Sequence, residues 1–195
     1  MRVAGIVLAA GRSSRMGENK LLLTVGGETL VRHAARAAVE AGLDPVLVVL
    51  GHEAERVRAE LDGIGCVPVP SPRHALGMNA SLDTGVQAVP TDASAAVVLL
   101  ADMPLVTPEM IRALVERHRA APGAPVSSRY GAVPAPPALY PRALFPELCG
   151  GEGDGRGREV LRAHAGAVVW VDWPGRVLAD LDEPADLERL RRGEP

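Results

Sequence analysis

Three uninterrupted apolar runs recur along the first half of the chain: VAGIVLA (3–9), PVLVVL (45–50) and AAVVLLA (95–101). A strand with one wet face alternates apolar and polar residues. These runs do not, so they read as strands covered on both faces. Between them lie segments of helical period at 28–42, 53–61 and 79–89. In the first, Leu30, Ala34, Ala38 and Ala41 form one apolar stripe and Gly42 ends it. After the third strand, TPEMIRALVERHRAA (107–121) offers Thr107 as N-cap and Pro108 at the first helical position. Its buried stripe is Ile111, Leu114, Val115 and His118. Strand and helix in this alternation predict an α/β protein, a parallel sheet with helices on both sides.

The rhythm loosens between about 122 and 150, where PVSSRYGAVPAPPALY is rich in proline and glycine. That composition suits an edge hairpin or an insertion over the sheet. A helix near 157–164, the strand AVVWVDW (167–173) and a last helix from about 183 complete the pattern. With no internal repeat or linker, the 195 residues read as one domain, 1–195. Aromatic residues are only 3% of the chain, so Ala, Val and Leu must build the core.

A net charge of −3 argues against nucleic acid as a partner and leaves phosphate chemistry to a local site with a metal ion. Cys66 and Cys149 match no metal or redox spacing. They read as buried, unpaired thiols of a protein in a reducing cytoplasm. The run Val3–Ala10 is far short of the ~20 residues of a membrane span. Followed by Arg12 and Arg15, it reads as a buried strand and not as a signal-peptide core. No membrane association is expected.

Ligands of an open parallel sheet bind beyond the carboxyl ends of its strands. Three unusual segments fall there: 9–20, 71–81 and 102–104. The first is glycine-flanked, with Gly11 and Gly17 permitting N–H groups to surround an anion. Arg15 and Lys20 add charge. Lys20 is the sole lysine among 21 basic residues, and its compact ammonium suits phosphate oxygens. The spacing is neither a Walker loop nor a G-x-G-x-x-G fingerprint. In the second segment, SPRHALGMNASLDTG, Gly77 permits close approach to a flat ring and Asn79 or Ser81 can cap the following helix. In the third, LLADMPLV, Asp102 closes a buried strand, where a carboxylate needs a partner or a metal. Asp180, Asp182 and Asp186 form a second acidic cluster. One of them can join Asp102 on a Mg²⁺, or Asp182 can serve as a helix cap. The five histidines show no zinc spacing, and no serine-hydrolase elbow is present.

These residues carry a resemblance. LAAGRSSRMGENKLLL fits the pattern L-A-A-G-x-S-x-R-M-G-x-x-K of the molybdenum-cofactor nucleotidyltransferases. LGMNASLDTG, LLADMPLVTPEMI, GDGRGREVL and DLDEPADLERL follow in the family's order. Within that family the chain looks most like the cytidylyltransferases. The resemblance implies a Rossmann-like, three-layer nucleotidyltransferase fold with a mostly parallel sheet. It implies Mg²⁺-dependent transfer of CMP from CTP to the phosphate of molybdopterin, with release of pyrophosphate. It also implies transient contact with a recipient molybdoenzyme.

Carried over residue by residue, the resemblance puts Leu8, Ala9, Ala10 and Gly11 around the nucleotide. Arg15 and Lys20 would hold the triphosphate, and Gly77, Met78 and Ser81 would lie near the base. Asp102 and Asp182 would hold the metal, and Lys20, Arg15 and Asp102 would form the catalytic set. The chain departs from the family in two places. GAVPAPPALY lacks a Gly-His-Pro, and GDGRGR (153–158) replaces Gly-Asp-x-Gly-Ala-Arg. Both are segments associated with the acceptor. Transfer from GTP, transfer to a sugar phosphate, and a cofactor-binding protein without turnover are the alternatives. Ala10, where guanylyl enzymes have glycine, favours the smaller pyrimidine base.

Overall fold

The structure, a computed structural model, describes residues 1–11 and 19–178, and its sheet grows outward from the first apolar run. Strand β1 (Arg2–Ala9) pairs in parallel with β4 (Val46–Leu50) on one side and β6 (Ala93–Leu100) on the other. Three of the expected strands are therefore adjacent, with β1 between the other two. Between β1 and β4 come a two-stranded hairpin, β2 (Thr24–Val25) with β3 (Glu28–Thr29), and helix α1 (Leu30–Glu40). Gly26 and Gly27 turn the hairpin with φ of 61° and 89°. A Gly-Gly pair between short polar-apolar stretches signals such a turn, although two-residue strands are too short for periodicity to reveal.

After β4 come α2 (Ala54–Ala59), the edge strand β5 (Val67–Pro70) and α3 (Met78–Gln87). Strand β5 pairs with β4 alone, which suits an outer strand whose Pro68 and Pro70 donate no hydrogen bonds. Helix α4 (Pro108–Ala120) follows β6, and the Thr107 hydroxyl accepts the Met110 N–H at 3.4 Å as its N-cap. The hairpin β7 (Val126–Tyr130) and β8 (Val133–Pro141) leads through α5 (Phe145–Leu148) and α6 (Arg156–Ala163) to β9 (Val169–Trp173). The sheet order is β5-β4-β1-β6-β8-β7-β9, with β8 antiparallel to its neighbours. The helix expected from about 183 lies outside the described residues.

The proline-rich hairpin is not at the edge. Strand β8 sits between β6 and β7, and β9 covers the outer side. Its pairing with β6 explains how an interior strand tolerates prolines. The ladder runs from Ala95–Pro141 to Val98–Ala138 and stops where Pro137 and Pro136 would face the end of β6. On the other side, the register with β7 shifts between Ser127 and Arg129. The prolines stand where no donor is needed, and the sheet parts there.

Strand periodicity divides the core into two layers. Val3, Val7 and Ala9 of β1 face α1 and α4 in one cluster, with Val31, Ala34, Ala38, Ile111 and Leu114. Ala4, Ile6 and Leu8 face α3, α5 and α6 in the other, with Leu82, Val86, Leu148 and Val160. Among the described residues no helix is long and apolar enough to cross a membrane. Both cysteines are unpaired and half-buried, less covered than expected, and burial pushes both thiols above their ordinary pKa, Cys149 to about 11.

His118 faces the α1–α4 layer at 3% exposure, and its Nδ1 lies 3.4 Å from the Ala124 carbonyl. Burial lowers its pKa below the ordinary 6.5, so the native ring stays neutral where the unfolded chain takes up a proton. The folded protein therefore keeps its full stability above pH 6.5 and loses part of it as the pH falls below that value. The denaturant midpoint should drop between about pH 7.5 and about pH 5.5, and His118→Gln should flatten that drop. An identical pH dependence in the two proteins would remove His118 as its source.

Candidate active site

The carboxyl ends of β4, β1 and β6 stop at one level, because Ala9 pairs with Leu50 and Leu8 with Leu100. Bonding continues just past the strands. His52 N–H donates to the Ala10 carbonyl at 3.3 Å, and Ala101 N–H to the Leu8 carbonyl at 3.1 Å. Gly51 is required at this rim. A side-chain carbon on it would lie 2.6 Å from His74 Cγ and 2.7 Å from both Ala10 Cβ and the Ala10 carbonyl oxygen.

A cavity of about 310 Å³ opens on the rim. Leu8, Ala10 and Gly11 form its floor, and Lys20 and Asp102 one side. Gly77, Met78 and Ser81 form another. Eight of the residues assigned to nucleotide binding thus meet at one place. Ala9 does not line it, since the alternation of β1 turns its side chain into the opposite layer at 1% exposure. Arg15 and Gly17, like Asp180, Asp182 and Asp186, lie outside the described residues.

Lys20 begins a 3₁₀ turn, Lys20–Leu22, whose cap is Asn19; the Asn19 carboxamide accepts the Leu21 N–H at 3.2 Å. From there Lys20 Nζ reaches Asp102 Oδ2 at 2.6 Å. The sequence sends Lys20 to phosphate and Asp102 to metal; the structure joins them as an ion pair. Asp102 already holds a cation on a cavity wall, and it is a hard oxygen ligand beside room for phosphates. A single carboxylate beside open space can hold a divalent cation that fills the rest of its shell with water and substrate phosphate. Among the described residues no group of three or more His, Cys, Asp or Glu forms a closed metal site.

Several residues here escape motif reading. His74 lines the cavity and turns Nδ1 toward the Ser71 carbonyl at 3.0 Å. Arg73 pairs at 2.5 Å with Asp83, whose side chain is 6% exposed on α3, and Ser71 Oγ meets Thr84 Oγ1 at 3.2 Å. These contacts anchor the 71–77 loop to the helix that follows it. Helix α3 is capped by neither Asn79 nor Ser81. The Met78 N–H donates instead to Asp154 Oδ1 at 2.7 Å, from a loop 76 residues away. Only the acidic residue in GDGRGR hinted at this role.

A second cavity of about 300 Å³ adjoins the first and shares Leu8, Met78, Leu100 and Asp154 with it. It lies where the sheet parts: Pro134, Pro136 and Tyr140 line one side, and Gly155 to Arg158 another. The two segments in which the chain departs from the family thus face each other. Burial raises the Tyr140 pKa, so its phenol stays neutral. Gly157 permits this fit, since a Cβ there would lie 2.8 Å from the Tyr140 hydroxyl.

Gly51→Ala tests the rim. Relief requires movement of the Ala10 backbone, and overpacking of this kind costs about 1–3 kcal/mol. Nucleotide affinity should fall several-fold by calorimetric titration, with a lowered melting temperature. Unchanged affinity would show that the rim can yield without reshaping the cavity.

Comparison with known proteins agrees with this geometry. The MobA-like NTP transferase domain model matches residues 5–168. The purine catabolism protein PucB of Bacillus subtilis is 35% identical over 203 residues, covering 96% of this chain and 95% of PucB. The bifunctional protein GlmU of Rhodococcus opacus is 33% identical over 130 residues, 63% of this chain but only 26% of GlmU. Among solved structures, Rv0371c of Mycobacterium tuberculosis superposes with a TM-score of 0.86 at 30% identity over 98% of both chains. Its complex with manganese gives a TM-score of 0.84 at 28% identity, over 98% of this chain and 99% of that one. Molybdopterin-guanine dinucleotide biosynthesis protein A of Archaeoglobus fulgidus shares the fold at 18% identity, with a TM-score of 0.66 over 98% and 97%. The cavity at the strand ends, the match over most of the chain and these relatives lead to one assignment: the chain belongs to the MobA-like NTP transferase family and is a nucleotidyltransferase.

Proposed function

We propose that this protein, as one domain over residues 1–195, transfers CMP from CTP to the phosphate of molybdopterin in the cytoplasm. The observation that carries this reading is the pair of joined cavities. One is lined by Ala10, Gly11 and Lys20 and the other is large enough for a ring system, with Leu8, Met78, Leu100 and Asp154 common to both. A donor and an acceptor bound there would meet at the shared wall. The name of PucB ties that relative to purine catabolism, and the archaeal protein of the same fold is named for molybdopterin-guanine dinucleotide synthesis.

In this reaction an acceptor phosphate oxygen forms a bond to the α-phosphorus of CTP. The bond from that phosphorus to the α,β-bridging oxygen breaks, and pyrophosphate leaves with the electron pair. No covalent enzyme intermediate is needed, so catalysis is alignment and charge neutralisation. Asp102 and Asp182 would hold Mg²⁺, which supplies positive charge to the phosphate oxygens. Lys20 would leave Asp102 and bind the departing pyrophosphate together with Arg15. The Lys20–Asp102 pair would keep the carboxylate neutralised until a metal ion arriving with the anionic substrate replaces the lysine.

Lys20→Ala should lower turnover by about 10²–10³-fold while the fold survives. Because Asp102 loses its internal cation, the same variant should bind Mg²⁺ more tightly before nucleotide is added. Asp102→Asn and Asp182→Asn should both lose Mg²⁺-dependent activity. An active but less stable Asp182→Asn would assign that residue to a helix cap and make Asp180 the candidate ligand.

The base is decided by competing CTP against GTP and identifying the nucleotide in the product. CTP should win. The Ala10 methyl group, 6% exposed beside Gly51, narrows the wall, and one methyl in such a site contributes about 1–3 kcal/mol of discrimination. Ala10→Gly should therefore relax the preference without reversing it. A wild-type protein that selects GTP would overturn the cytidylyl assignment.

A further inference from the structure

The two cavities are joined by a clasp between residues 76–79 and 152–156 that the proposed chemistry does not use. Gly153 N–H donates to the Leu76 carbonyl at 2.8 Å, and Asn79 N–H donates to the Gly153 carbonyl at 2.9 Å. The Asn79 side chain closes the clasp. Its Nδ2 donates to the Glu152 carbonyl at 3.0 Å, and its Oδ1 accepts the Arg156 N–H at 2.9 Å. Asn79 is 4% exposed, so its side-chain donor and acceptor would be costly to leave unpaired.

Each helix start is capped by the other's loop. Helix α6 begins at Arg156 after Gly155, which has no side chain to cap it, and Asn79 takes the Arg156 N–H. Helix α3 begins at Met78 after Gly77, and Asp154 takes the Met78 N–H. Gly77 lets the loops close: its φ is 107°, and a Cβ there would lie 2.5 Å from the Gly153 carbonyl oxygen. Met78 and Asp154 line both cavities, and Asn79 and the start of α6 line the second.

We infer that Asn79 is a positioning residue that couples the two cavities. Nucleotide held against 74–78 fixes 152–158 in place, and the second cavity takes its binding shape when the first is filled. The inference rests on reading the first cavity as the nucleotide site. It assigns Asn79 no contact with the reacting atoms.

Hydrogen exchange on the full chain, with and without each of the four nucleoside triphosphates and Mg²⁺, tests this. Gly153 and Arg156 do not line the first cavity, although Asp154 between them does, so a direct contact through Asp154 would persist in an Asn79 variant whereas coupling through Asn79 would not. In the wild type, the triphosphate that slows exchange at 74–78 should also slow it at Gly153 and Arg156. In Asn79→Ala the effect at 74–78 should persist, while that at Gly153 and Arg156 shrinks about 3- to 30-fold, the range for a residue that carries coupling. Asn79→Asp keeps the acceptor for Arg156 and loses the donor to Glu152, so it should fall between the two. It serves as the test if Asn79→Ala does not fold. A purely structural role would raise exchange equally in the free and bound protein and leave the nucleotide-dependent difference intact. Coupling is overturned if the 152–156 loop ignores a nucleotide that protects 74–78, or responds equally in wild type and variant. Protection by GTP and not CTP would overturn the cytidylyl reading, and the coupling would then be judged with GTP. Protection at 74–78 by none of the four would overturn both.

Discussion

The parallel register of β1 between β4 and β6 is the constraint on which the site depends. Because Ala9 stands opposite Leu50 and Leu8 opposite Leu100, the chain leaves all three strands at the same height. Ala10, Gly11 and Asp102 then face one space without any long-range search. Side chains at a parallel strand end have no ladder partner ahead of them, so small residues and ligand-binding groups collect there. The rim is tight enough that Gly51 admits no side chain. Cavity shape is therefore a consequence of backbone register before any charged group is considered.

The second cavity has a different physical origin. A continuous sheet would have closed the space between β6 and β8. Pro136 and Pro137 have no N–H to offer at the point where the β6 ladder would continue, and pairing ends at Val98–Ala138. The gap is lined by Pro134 and Pro136 and by the start of α6. Weak β-propensity thus becomes an opening beside the reactive rim. The cost in sheet hydrogen bonds is small, because β7 still pairs with β8 on both sides of the shift.

Sequence patterning reached the parts of this arrangement that depend on local periodicity. Strands β1, β4 and β6, the helices at 30–40, 78–87 and 108–120, the Thr107 cap and the buried His118 follow from apolar spacing and capping chemistry within a few residues. What escaped it depends on residues far apart in the chain. No local rule places Lys20 on Asp102, Asp83 under Arg73 or Asp154 at the start of α3. The proline-rich composition suits an edge hairpin or an insertion over the sheet, yet the segment pairs inside the sheet, because the rule concerns the donor each proline lacks and the β6 ladder ends where Pro136 and Pro137 would face it. Asn79 was legible only as a helix cap for its own helix, whereas it caps another.

The single lysine gains a physical sense from its partner. Twenty of the 21 basic residues are arginine, and an arginine at position 20 would also neutralise Asp102. Its planar fork, however, favours a bidentate grip on one carboxylate, with two parallel bonds to break before release. Lys20 makes its contact through one ammonium at 2.6 Å, in a pair that is partly open to the cavity. Its three donors are not fixed in a plane, so the charge can pass from carboxylate to phosphate without rebuilding a matched geometry. In the proposed reaction Asp102 must be neutralised when the cavity is empty and available to a metal when it is filled. A point charge on a flexible stem meets both requirements, and this is a reason for lysine to persist at one position in a chain that otherwise uses arginine.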